Sequence, residues 1–181
     1  MTQATSSTQT PAQVYVAGLF AVLGSRNPRE VLGETAALLR QAVAGLSPAQ
    51  LSMPEAPGKW SVRQVAQHLA DAELVGAFRF RMILAHDGPN LPGYDQDLWA
   101  KKLRYQQADI ESALGDFEML RRSNLRIFDG ATPEEFKRVM RHEERGDESL
   151  EHMLRMYAGH DMVHLRQIAR IRRTLGLAEQ G

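Results

Sequence analysis

Stepping by three or four residues through the C-terminal part of the chain gives Leu150, Met153, Tyr157, His160, His164, Ile168, Ile171 and Leu175. That period is one face of a long α-helix, and every member of the stripe except the two histidines is apolar or aromatic. Such a helix must bury its stripe against other elements. Two imidazoles are thereby carried into a core, where each needs a partner.

The other periodic segments are also helical. Pro11 can open a short helix through VYVAGLFAVL, ended by Gly24. Asn27, Pro28 and Glu30 form a second start with a capping-box pattern, before Val31, Leu32, Thr35, Leu38, Leu39, Ala42 and Val43, and Gly45 closes it. Ser61 and Gln64 cap a helix running to about Ala85, with Val62, Val65, Leu69, Ala72, Val75 and Ile83 on its buried face. Ile110, Leu114, Phe117, Leu120, Leu125 and Phe128 mark another from about Ala108 to Phe128, and the last spans about Glu148 to Leu175. Between them, residues 46–59, 86–105 and 130–146 hold prolines, glycines and the charged run RHEERGDE and are expected to be connections. The expected fold is all-α, a four-helix bundle with an extra N-terminal helical segment. Residues 11–181 form one domain after a disordered tail at 1–10.

Composition narrows the chemistry. The chain has no cysteine, which excludes disulfides, thiolate ligands and a cysteine nucleophile. Lys plus Arg and Asp plus Glu both total 22, so no net charge draws the protein to nucleic acid or anionic lipid. The N-terminus, MTQATSSTQT, lacks the basic and apolar regions of a secretory signal, and no apolar run approaches the roughly 20 residues of a membrane span. A cytoplasmic protein without nucleic-acid or membrane partners is expected, acting on a small molecule.

His160 and His164 stand one helical turn apart on the same face, about 6 Å between Cβ atoms, a spacing that suits two ligands of one ion. Two core histidines bonded to polar neighbours produce the same spacing. Burial in an apolar stripe favours the ion, since one cation satisfies both rings. His68, three residues after Val65 and four before Ala72, points into the bundle from another helix and supplies a third nitrogen. Three imidazoles leave coordination positions open, the pattern of catalytic and not of structural sites. Such a site suits Zn, Ni, Fe, Mn or Co.

Around the trio, Asp71 and Asp161 each lie three residues from a histidine and are candidate acceptors for an imidazole N–H, or solvated carboxylates. Tyr157 and Trp99 are candidate pocket residues. Trp60 reads as a packing anchor, and Glu73, five residues from His68, falls on another face. His86, His142 and His152 are assigned surface or structural roles, His152 being turned by about 80° from His160. Arg166, Arg170 and Arg173 read as a solvated stripe.

Residues 59–73, KWSVRQVAQHLADAE, followed by HDMVHLRQI at 160–168, resemble the DinB-like superfamily of metalloproteins, in particular its YfiT branch. GLSPAQL, PGYDQDLWA and RHEERGDESLEHML are similar as well, and the resemblance spans about residues 28–176. It implies an up-down-down-up bundle, His68, His160 and His164 as metal ligands, and a homodimer. It implies no DNA chemistry. Two activities fit: metal-dependent hydrolysis through an activated water, or S-transfer in which a low-molecular-weight thiol such as bacillithiol, mycothiol or glutathione occupies the open position as thiolate. A non-catalytic metal- or ligand-binding stress-response protein is the alternative, marked by a carboxylate closing the coordination sphere.

Overall fold

Each long helix starts where a side chain can satisfy its first free N–H groups. The structure, a computed structural model, describes residues 10–177; residues 1–9 of the expected tail lie outside the described residues. Thr10 caps α1 (Pro11–Leu23), Asn27 α2 (Pro28–Val43), Ser61 α4 (Val62–Ala85), Asp109 α6 (Ile110–Gly130) and Ser149 α8 (Leu150–Thr174). Ser61 and Gln64 form the expected reciprocal capping box. At α2 the amide of Asn27 bonds Glu30 Oε1 instead, so the expected box becomes a side-chain pair.

The connections carry more structure than their composition suggests. Pro48–Leu51 forms the short α3, and the 86–105 segment holds β1 (Asn90–Leu91) and α5 (Gln96–Lys102) before a 3₁₀ turn at Tyr105–Gln107. Beyond α6 come α7 (Pro133–Phe136), β2 (Val139–His142) and β3 (Gly146–Ser149). The strands make a small sheet ordered β1-β2-β3, parallel then antiparallel, with Leu91 opposite His142 and Met140 opposite Glu148. Two- and four-residue strands are too short to declare a period of two. The charged run conceals His142 and Glu148, which are buried along with Met140 just before it.

Named contacts fix the helix directions. Arg29 with Asp129 and Arg40 with Glu111 join opposite ends of α2 and α6, which are antiparallel. Arg172 donates to the Ala42 carbonyl while Arg26 reaches Met162, so α2 and α8 run together. Arg63 with Ala108 and Phe80 with Phe128 make α4 and α6 parallel. His68 with His164 and Phe80 with Tyr157 make α4 and α8 antiparallel. The bundle is therefore up-down-down-up, and α1 lies against α8, where the Leu19 carbonyl occupies the space a Cβ at Gly159 would need.

Two apolar clusters fill the bundle, one including Leu32, Phe80, Phe128 and Met153, the other Leu39, Val65, Phe117 and Ile168. Along α2, α4 and α6 the break between them falls at buried polar residues, Thr35, Glu73 and Arg121 with Asn124, and on α8 it falls just beyond the buried Asp161. Arg121 donates to Glu73 and the Leu32 carbonyl and is ion-paired with Asp161, and Asn124 donates to Glu73, so one network ties the four bundle helices together. Glu73 is indeed turned away from His68.

Candidate metal centre

The antiparallel pairing of α4 and α8 brings His68 beside His160 and His164. Their ring centroids are 5.0, 4.8 and 4.5 Å apart for 68–160, 68–164 and 160–164. One donor atom from each lies within 4.8 Å of the others. The Nε2 atoms of His68 and His160 approach to 3.0 Å. Nitrogens sharing a tetrahedral ion at about 2.05 Å would stand about 3.3 Å apart, close to the His68–His160 spacing, and His164 offers a third nitrogen within 4.8 Å of both.

The protonation state suits that use. Burial pushes His68 well below the ordinary imidazole value, with His160 and His164 adding to the effect. Burial lowers His160 to about 4, helped by the Arg121 charge, and His164 to about 3, helped by His160. All three rings are neutral at pH 7, the form that ligates.

Hydrogen bonding then identifies the free lone pairs. His164 Nδ1 lies 3.0 Å from Gln167 Oε1. An amide oxygen only accepts, so Nδ1 carries the proton and Nε2 is left bare. The Nδ1 atoms of His68 and His160 are buried and have no hydrogen-bond partner among the described residues. A single proton shared between two facing Nε2 atoms leaves one of these buried Nδ1 atoms without a hydrogen. A cation accepting both Nε2 lone pairs instead places a hydrogen on each Nδ1, the tautomer that Gln167 already fixes in His164. Gln167 went unnoticed in the sequence, although it sits one turn beyond His164.

Trp60 is more than a packing anchor. Its ring lies 4.7 Å from His68 and 6.3 Å from His164, nearly parallel to the latter, and walls the centre on one side. On another side a cavity of about 380 Å³ reaches His160. Tyr157 lines it, with its hydroxyl donating to the Ala72 carbonyl. Trp99 does not line this cavity; it packs on Tyr94, which does.

Neither candidate acceptor carboxylate bonds an imidazole. Asp161 faces Arg121 at 2.7 Å, and Asp71 accepts from the Tyr105 hydroxyl and from Gln67. Each is claimed by a stronger donor that sequence spacing does not reveal. Burial raises the pKa of Asp161, with Arg121 opposing. His142, assigned a surface or structural role, is buried and forms part of the cavity wall with Arg79. Among the described residues no helix is long and apolar enough to cross a membrane.

Comparison with known proteins agrees with this architecture. Residues 32–168 match the DinB superfamily. The chain is 31% identical over 148 residues to "Putative metal-dependent hydrolase YfiT" of Bacillus subtilis, covering 81% of this chain and 83% of that protein. A Geobacillus kaustophilus protein with the same descriptive name is 32% identical over 139 residues, covering 76% and 78%. The solved structure of YfiT from Bacillus subtilis, described as having an unusual four-helix bundle topology, superposes with a TM-score of 0.79 at 26% identity over 98% of this chain and 95% of that one.

Proposed function

This chain belongs to the DinB superfamily, and we propose that it is a metal-dependent enzyme in which His68, His160 and His164 hold one divalent ion that activates a nucleophile against a small molecule. The observation that carries this reading is the His164–Gln167 bond, which leaves the Nε2 of His164 bare beside the two converging Nε2 atoms of His68 and His160. When bound, the ion supplies Lewis acidity, making a water or thiol in its open position acidic enough to react near neutral pH.

The chain's own residues set the rest. Burial keeps the three imidazoles neutral, Gln167 orients His164, and Trp60 excludes water from one side. Asp71 and Asp161, which would be needed to close the coordination sphere, are engaged by Tyr105 and Arg121, which supports an open site over a structural one. The cavity beside His160 is the route for substrate. Hydrolysis of an ester, amide or similar bond is the first reading, in keeping with the descriptions of the relatives.

A second reading, S-transfer from a low-molecular-weight thiol, draws on those same engaged carboxylates. With Asp71, Glu73 and Asp161 all occupied, the histidines have no nearby carboxylate in sequence free to take a proton from water, and a thiol requires less help.

Elemental analysis of the purified protein, beside a variant with all three histidines replaced by alanine, tests the site. Stoichiometric metal in the parent and none in the folded variant is expected; absence of metal from the parent after loading with zinc, nickel or manganese overturns it. Turnover of activated esters without added thiol, against turnover of a chlorobimane only with thiol, separates the two activities.

A further inference from the structure

The far end of the cavity that reaches His160 is built from Arg79 on α4 and His142 on β2. Arg79 is 4% exposed and His142 2% exposed. Arg79 Nη2 donates to the Pro92 carbonyl at 2.7 Å and lies 3.3 Å from His142 Nε2. His142 Nδ1 accepts from the backbone N–H of Glu144 at 3.2 Å. Both neighbours can only donate, so the neutral ring can accept from one of them alone; the shorter contact, from the Glu144 N–H, takes the bare nitrogen and leaves the ring proton on Nε2, facing Arg79. Two donors, an Arg79 N–H and the His142 Nε2–H, therefore stand together with no acceptor between them.

The surrounding charges do not supply one. Among the described residues Arg79 has no carboxylate partner. Arg145, also on the cavity wall, is engaged by Glu148 at 2.6 and 2.8 Å. The lining carboxylates Asp95, Asp97 and Glu144 are exposed at the rim, where water screens them.

We propose that Arg79 and His142 form an oxyanion-recognition subsite, so that the small molecule presented to the histidine centre carries a carboxylate or phosphate at its end remote from the reacting bond. This rests on the catalytic reading of the trio. Ala72, near His160, and Arg79 both line the cavity, and seven residues of helix separate them by about 10 Å. Val16, Leu19 and Met156 line the space as well, so the linking part of the ligand is apolar. One oxygen of the anion accepts from both donors, a charge-assisted pair in a site shielded from water.

Calorimetric titration of the protein with sodium phosphate, acetate and hexanoate, alongside NMR of the His142 ring, tests the subsite. Metal-free protein is used as well as zinc-loaded protein, so that the result stands apart from whether the trio binds an ion, which elemental analysis reads. Saturable binding is expected, with hexanoate tighter than acetate and with the His142 pKa moving upward as the anion stabilises the imidazolium. R79M should weaken binding by about tenfold or more. H142F removes the second donor and should weaken it too, which keeps the test decisive if R79M does not fold. The tighter of phosphate and hexanoate identifies the group. No saturable binding of any anion, or binding unchanged in the folded variants, overturns the proposal.

Discussion

Arg121 and Asp161 form a buried ion pair, 2.7 Å between Nη2 and Oδ2, at the residue directly after His160. Burial works against the Arg121 charge, but Asp161 and Glu73 outweigh it and hold the guanidinium protonated. Replacing Arg121 by methionine leaves two carboxylates buried without a cation and removes the side-chain donor to the Leu32 carbonyl. Breaking such a pair from one side costs about 3–5 kcal/mol. Urea denaturation of R121M is expected to show that loss at pH 7 and a smaller one under acid, where the buried Asp161 carboxyl, already raised by burial, takes up a proton. An unchanged midpoint at pH 7 would remove the network from the account of stability.

Gly76 on α4 faces Tyr157 on α8, and a Cβ there would lie 2.8 Å from the ring. The Tyr157 hydroxyl bonds the Ala72 carbonyl, one turn before Gly76, so the ring has little freedom to withdraw. Gly76→Ala is expected to destabilise the fold by about 1–3 kcal/mol despite the better helix propensity of alanine. Combining it with Tyr157→Leu should recover part of the loss, which a double-mutant cycle of denaturation midpoints would measure.

These contacts mark the boundary of what the sequence discloses. The stripe through His160 and His164, with the Ser61 and Asn27 starts, already implies the long helices and two inward imidazoles, because burial period and capping are local properties. The up-down-down-up order came only through resemblance, since nothing local tells α4 which neighbour it runs beside. Arg121 and Arg79 escaped notice, and His142 was given a surface or structural role, for another reason. A buried charge looks like a surface charge until its partners are placed, and those partners lie 40 to 63 residues away along the chain. Asp71 and Asp161 show the converse: helical spacing brought them near the histidines, but tertiary donors took their oxygens.

Burial, with the charges of Arg145 and Arg79, lowers His142 to about 4 from its ordinary 6.5. Between those values the unfolded chain takes up a proton that the native ring refuses, so stability falls as pH drops from about 6.5 toward 4 and is undiminished above that window. The three clustered histidines contribute in the same sense. The readout is therefore a difference: wild type should lose more stability between pH 7 and pH 5 than H142F does. Equal losses in urea denaturation would show that His142 is not held neutral by the fold.

Gln167 offers the sharpest separation between a metal centre and a set of packed histidines. Its Oε1 accepts from His164 Nδ1 on the far side of the ring from the converging nitrogens. In a metal site that bond fixes the tautomer and raises the basicity of the ligating nitrogen, and losing such a partner typically lowers metal affinity about 10- to 100-fold. Gln167 is partly exposed on α8, so Gln167→Leu leaves the apolar clusters untouched and should fold normally. Zinc titration against a chelating competitor is expected to show weaker binding at unchanged stoichiometry. Gln167→Glu, which keeps an acceptor and adds charge, should restore or exceed the parental affinity. If the trio were only packed side chains, neither substitution would alter zinc binding, because no stoichiometric site would exist to weaken. Affinity unchanged in a protein that does bind zinc would instead show that His164 is oriented by its packing against Trp60 and His68.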